Sequence, residues 1–350
     1  SSEGYRTACI STNAWLSDRF GLTGGFDRVD NLASSGLRGM LTAARRRMDS
    51  WLSSPGHENL KRKVVRLGNR LFHYSGGSQT GNVVEKGLEF VDSGDEPFFL
   101  FLNLMDAHEP YFPPEEYLEK HGCAEPSEIC QNPDEFYSGR REVDFDEVGK
   151  IYDASVDYLD DQLGRLFTEL EERGEWEDTV VVLVSDHGQM LGEEGHYGHQ
   201  YSVDEELVSV PMMVKGADGD EVEKQVELKE LYSILLSAAG MQDSYREGTE
   251  YAEGGYEFPD VQRPRIPEER WEDLYRRHRF VRSKKGRVTE TEDEDGNTGL
   301  EFESFSGELE EEEREELERR VKSIGESEEG KQLESKDEEI QQKLKNLGYG

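Results

Sequence analysis

The sequence predicts an α/β fold organised around a mostly parallel sheet, and three observations carry that prediction. Residues 98–105 (FFLFLNLM) and 180–184 (VVVLV) are apolar runs with no polar face, the pattern of strands buried on both sides. Between them, Val148, Tyr152, Ser155, Leu159, Leu163, Leu166 and Leu170 recur every three or four positions, the period of a long amphipathic helix. Both runs end in polar side chains, Asp106-Ala107-His108-Glu109 and Ser185-Asp186-His187-Gly188. Open α/β sheets place their ligands at the carboxyl ends of strands.

The remaining elements follow in chain order. Residues 4–11 (GYRTACIS) read as a strand preceded by the last fragment of a helix. Residues 37–92 are helical in pattern, with basic stretches at Arg45-Arg46-Arg47 and Lys61-Arg62-Lys63 that suit either anion recognition or a salt-bridged helix face. Pro113-Pro114 opens a loop expected to run to about residue 143. Gly174 ends the long helix and leads into the 180–184 strand, which together make half of a right-handed βαβ unit. Residues 210–214 (VPMMV) form a short strand, and residues 228–239 a helix stopped by Gly240. Residues 242–275 are loop-like, and residues 280–282 with 287–289 make a hairpin arm. Beyond Glu308 the chain is charge-dense; Leu317, Val321 and Ile324, then Ile340, Leu344 and Leu347, keep helical spacing and predict two surface helices. The expected divisions are a core over 1–245, a small subdomain over 246–307 and an acidic helical tail over 308–350.

Charge narrows the partners. The 350 residues carry 41 basic against 78 acidic side chains, a net of −37, so free nucleic acid is excluded by repulsion. The imbalance fits either a plain solvated acidic surface or one adapted to high salt, where screening removes much of the self-repulsion. No apolar run is long enough to cross a membrane, and three cysteines are too few for a disulfide scaffold. The expectation is a cytoplasmic protein that engages neither membrane nor nucleic acid. Cys9 is expected in the core, while Cys123 and Cys130 lie in one loop and are able to pair.

Asp186 and His187 are candidate ligands for a divalent metal facing an anionic ester, since carboxylate and imidazole are both metal donors. Alternatively, Asp186 caps the next turn with a hydrogen-bonded His187 beside it. The glycine-punctuated stretch 192–201 (GEEGHYGHQY) is too polar for core packing. His199 or His196 in it is able to hold an oxyanion or protonate a leaving oxygen, and spacing does not separate the two. His108, at the end of the other apolar strand, is the fourth candidate.

Three separated segments in order resemble the sulfatase family of the alkaline-phosphatase superfamily: residues 4–26 (GYRTACISTNAWLSDRFGLTGGF), residues 98–114 (FFLFLNLMDAHEPYFPP), and residues 180–214, with the SDHG strand end, the GHYGH loop and DEELVSVPMMV. The ending LKNLGY at 344–349 also resembles some prokaryotic members. The resemblance implies an alkaline-phosphatase-like sandwich, a central mostly parallel sheet flanked by helices, with a small C-terminal subdomain and a helical tail. It implies Asp186 and His187 as metal ligands, His108 and His199 as catalytic residues, and Thr12, Asn13 and His196 as substrate contacts. It favours Ca2+ as the ion, with Mg2+, Mn2+ or Zn2+ as alternatives, and a small-molecule or glycan sulfate ester as the partner.

Two departures matter. His187 stands where many sulfatases carry Asn, as in members related to phosphonate and phosphodiester hydrolases. The family's opening strand with paired Asp, and the helix with a C/S-x-P-x-R nucleophile, have no counterpart in the sequence. The expectation is therefore a sulfatase-type chain lacking a first strand and nucleophile helix, about 80–100 residues by ordinary domain size, and inactive alone. A phosphodiester or phosphonate monoester hydrolase, and a non-catalytic remnant or binding module, are the competing expectations.

Overall fold

The computed structural model describes residues 4–13, 15–17, 21–32, 79–216, 225–241, 248–258, 266–267 and 270–324. The chain divides into two compact units, one of Ser1–Phe136 with Arg141–Glu177, the other of Tyr137–Arg140 with Asp178–Gly350.

In the first unit, β1 (Arg6–Ser11) lies between β2 (Arg28–Asn31) and β3 (Phe98–Asn103), and both pairings are parallel. The parallel sheet expected from the sequence is thus present. One face is covered by α1 (Thr80–Val91) and the long α4 (Phe145–Glu172). Val84, Leu88 and Val91 interlock there with Leu166 and Leu170, and Phe98, Leu100 and Leu102 pack against them. Gly87 permits the close approach, because a Cβ there would already sit 3.3 Å from the Leu102 side chain. Asp144 caps α4 by accepting the Glu147 N–H, and Gly174, at φ +74°, turns the chain away after it.

The opposite face differs from expectation. Phe99 and Phe101 are exposed; Phe26 stacks on Phe99 at 5.9 Å and lies tilted against Phe101 at 6.4 Å. Successive strand residues point to opposite faces, and in β3 only the alternate set 98, 100 and 102 meets the helices. The predicted 113–143 loop is also partly helical: α2 (Glu115–His121) and α3 (Pro133–Tyr137) fall within it. Pro114 precedes α2, acidic residues open it, Lys120 and His121 close it, and Gly122 takes the left-handed conformation beyond it. Those are ordinary helix-end signals, hidden by the helix's brevity.

The second unit begins with β4 (Val181–Val184), β5 (Met190–Leu191), β6 (Tyr197–Gly198), α5 (Glu205–Val208) and β7 (Met212–Lys215). Among the described residues β4 pairs with β7 alone, antiparallel, and is half-buried; the reading of residues 180–184 as a buried parallel strand is corrected on both points. After α6 (Leu231–Ala238) come β8 (Ala252–Tyr256), α7 (Trp271–Leu274), β9 (Arg277–Arg282), β10 (Gly286–Glu292), β11 (Thr298–Ser304) and α8 (Glu311–Ser323). The expected hairpin is the inner pair of an antiparallel sheet ordered β11-β10-β9-β8. β8 was missed in a stretch read as loop, because its AEGGY sequence carries almost no strand propensity.

α8 is more than a solvated helix. Leu317 and Val321 are fully buried against Val281 and Val288. The second expected tail helix, with Ile340, Leu344 and Leu347, and the basic stretches at 45–47 and 61–63 lie outside the described residues. Cys9 is in the core as expected, but Cys123 and Cys130 are both free thiols, so the considered pairing does not form. No helix among the described residues is long and apolar enough to cross a membrane.

Candidate active site

The strand end at β4 is held by backbone contacts. Gly188 donates its N–H to the Leu207 carbonyl at 2.8 Å. A Cβ on Gly188 would lie 1.8 Å from the Glu206 carbonyl oxygen, so only glycine lets the chain pass α5 this closely. Ser185 Oγ donates to the His187 carbonyl at 2.7 Å, and Asp186 Oδ1 accepts the His187 N–H at 3.1 Å.

The tautomer of His187 follows from its partner. Its Nδ1 is 2.8 Å from the Gly188 carbonyl oxygen, which only accepts; Nδ1 therefore carries the proton and Nε2 the lone pair. The Asp186 carboxylate is 84% exposed, with Oδ1 4.0 Å from that Nε2. A carboxylate oxygen and a lone-pair imidazole nitrogen side by side fit a divalent ion as a two-donor set. Within either unit taken alone, no group of three His, Cys, Asp or Glu ligand atoms gathers among the described residues.

β5 and β6 form a hairpin, pairing Met190 with Gly198 and Leu191 with Tyr197, and Met190 and Tyr197 are fully buried. Its far end places the His199 imidazole on that of His187, with centroids 4.4 Å apart and planes at 27°. His196, expected beside His199, is engaged elsewhere: its Nδ1 lies 3.3 Å from the Tyr137 hydroxyl. Burial, reinforced by the Arg270 charge and opposed by Asp204, pulls the His196 imidazole below its ordinary range. It is therefore neutral at pH 7, a hydrogen-bonding group and not a cation.

The segment after the hairpin is clamped from the C-terminal sheet. Arg282 pairs with both carboxylate oxygens of Glu205 at 2.6 to 3.0 Å. Buried Arg287 donates to the Val203 carbonyl at 2.8 Å and faces Glu303 at 3.0 Å. Nothing in the local sequence around the histidines signals these two arginines or Tyr137; long-range packing alone brings them in.

In the first unit, the loop after β3 carries His108. Its Nδ1 is 2.6 Å from the Glu109 carbonyl oxygen and 3.7 Å from the nearly buried Glu109 carboxylate, which again puts the proton on Nδ1 and the lone pair on Nε2. Thr80 Oγ1 bonds Asp106, tying this loop to the start of α1. At the end of β1, Ser11 Oγ donates to Asn103 at 2.8 Å and accepts the Asn13 N–H at 2.8 Å. Asn13 Oδ1 accepts the Trp15 N–H at 3.0 Å, so this side chain shapes a turn; Thr12 beside it is half-buried.

Comparison with known proteins fits this fold. The family model described as Sulfatase matches residues 1–241. The chain belongs to the sulfatase family. It is 26% identical over 172 residues to the multifunctional alkaline phosphatase superfamily protein PehA of Trinickia caryophylli, covering 41% of this chain and 33% of that protein. Against an arylsulfatase of Clostridium perfringens it is 26% identical over 185 residues, covering 46% and 38%. The matched stretch thus spans 33% to 38% of these relatives' length. Among solved structures, BT4656 in complex with D-glucosamine-2-N,6-O-disulfate superposes with a TM-score of 0.57 at 14% identity, covering 93% of this chain and 80% of that one. A phosphonate monoester hydrolase of Agrobacterium radiobacter gives 0.55 at 14% identity, covering 98% and 78%. Both likenesses establish the alkaline-phosphatase-like α/β fold.

Proposed function

We propose that the chain supplies the metal-binding and leaving-group portion of a sulfuric ester hydrolase acting on small-molecule or glycan sulfate esters. The observation that carries this reading is the β4 strand end, where Asp186 and the Nε2 lone pair of His187 adjoin under the stacked ring of His199. Asp186 and His187 would hold a divalent ion, Ca2+ by family likeness, and such an ion polarises the ester and neutralises its oxyanion. His199 is assigned to the leaving oxygen, where an imidazole gives or takes a proton near neutral pH. His108 is assigned a catalytic role by family likeness. Thr12, Asn13 and His196 are assigned weaker roles in contacting the substrate.

The attacking nucleophile is assigned to no residue of this chain. A Cys or Ser in a C/S-x-P-x-R stretch is absent from all 350 residues, and Cys9 and Cys130 are buried thiols whose surroundings push them away from the reactive thiolate. The reading therefore expects ion binding without turnover by these residues alone. Calorimetric titration with Ca2+ followed by assay on p-nitrophenyl sulfate tests it. Stoichiometric binding that disappears in Asp186→Ala and His187→Ala, with no hydrolysis, is the expected result. Turnover by the purified chain would refute the nucleophile assignment, and no ion binding would favour a non-catalytic binding module.

A second reading, hydrolysis of a phosphonate monoester or phosphodiester, is favoured by one observation. His187 stands at the assigned ligand position with its Nδ1 on the Gly188 carbonyl, so that Nε2 would be the donor where an amide would offer oxygen. Parallel assay with a phenylphosphonate ester, on a form carrying the nucleophile, separates the two.

A further inference from the structure

We propose that Tyr137 is the positioning residue that holds His199 in register against His187. The proposal rests on the assignment of those two histidines to the site. Tyr137 is 2% exposed and is gripped on several sides within its own unit. Its hydroxyl oxygen accepts the Tyr197 N–H at 3.1 Å and lies 3.3 Å from His196 Nδ1. One hydroxyl thus links the backbone of β6 to a side chain of the same hairpin. Its ring meets Tyr201 edge-on at a centroid distance of 4.7 Å, and the Arg270 guanidinium lies 5.3 Å over it. Tyr201 sits at φ +67°, a conformation that costs a non-glycine residue and needs packing to keep it.

These contacts fall at residues 196, 197 and 201, on both flanks of His199. A glycine-punctuated loop is otherwise free to sample many backbone states, and only Gly198 separates His199 from the Tyr197 anchor. Tyr137 thus fixes the loop before and after the imidazole that stacks on His187. Burial that pushes the Tyr137 hydroxyl up to about 12 keeps it protonated and able to donate throughout the working pH range.

The test uses Tyr137→Phe, which keeps the ring contacts and removes the hydroxyl, in the intact chain. Imidazole and amide NMR spectra are read together with hydrogen exchange. The expected result is exchange of the Tyr197 amide faster by about tenfold, the loss of one hydrogen bond, together with displaced imidazole resonances of His196, His199 and His187. Signals of Val281 and Val288 in the C-terminal sheet should stay in place, which separates positioning from general destabilisation. His187 and His199 resonances unmoved in Tyr137→Phe would overturn the proposal. Unmutated protein provides a second check: a Tyr197 amide that exchanges as fast as an unstructured one also overturns it. None of these readouts needs turnover, so a failed hydrolase assay leaves the positioning role standing, while unmoved imidazoles remove it whatever the assay gives.

Discussion

His187 and His199 stack 4.4 Å apart at 27°, yet the two rings are held by different parts of the fold. His187 is fixed by the Gly188 carbonyl at the end of β4, and His199 by the hairpin that Tyr137 anchors. Their roles should therefore separate on mutation. His187→Ala is expected to weaken divalent-ion binding at least tenfold, because it deletes a donor atom. His199→Ala should weaken it less, because it removes a stacked ring and no donor atom. Equal losses in calorimetry would make His199 a ligand in its own right.

Gly188→Ala should be severely destabilising. The new Cβ would meet the Glu206 carbonyl oxygen at 1.8 Å, and the obstacle is backbone, which cannot swing aside as a side chain would. Separating β4's end from α5 also breaks the Gly188–Leu207 hydrogen bond. A loss of about 3 kcal/mol or more is expected, read as a lowered urea midpoint. Gly149→Ala, where a Cβ meets open space in α4, should by contrast be neutral or mildly stabilising.

Acidification should weaken the second unit before carboxylates titrate. Burial lowers His278 to about 4, against 6.5 for an ordinary histidine, and His196 is lowered for the same reason. Between those values the unfolded chain binds the proton that the folded chain refuses. Stability is thus full above pH 6.5, falls as pH drops towards 4, and is flat for this group below that. His278 alone accounts for at most about 3 kcal/mol. Asp92 and Asp157, held down by Arg173 and Lys120, lose their contributions at lower pH still. The difference between wild type and His278→Asn in urea midpoints at pH 7 and pH 4.5 isolates the imidazole; an identical pH dependence in both would remove it as the cause.

Two arginine pairs should differ sharply in worth. Arg287 is buried, donates to Val203 and faces Glu303, so Arg287→Ala should cost about 2–4 kcal/mol and loosen residues 203–205. Arg319 pairs with Glu316 at 2.6 Å on the exposed face of α8, where water competes for both charges. Arg319→Ala should cost less than about 1 kcal/mol, and high salt should erase the difference.

Period and composition made α4, β1, the β9–β10 pair and the histidine-bearing strand ends readable, because each depends on neighbours a few residues apart. Residues 252–256 were opaque for the complementary reason: two glycines form a strand there only because β9 offers its backbone edge. α2 was hidden by its length, which is too short to establish a helical period. At the site, the donor types of Asp186 and His187 were legible, but the proton on His187 Nδ1 was not, since it depends on where a carbonyl points.

Side-chain chemistry and chain order were enough to place an Asp-His strand end in a sulfatase-family α/β chain. They could not say that Gly188 is required by a neighbouring helix instead of by a turn, or that His196 turns to Tyr137 while His199 turns to His187. Those choices belong to contacts between residues 12 to 59 positions apart. Steric exclusion and hydrogen-bond direction settle them only when the chain has folded.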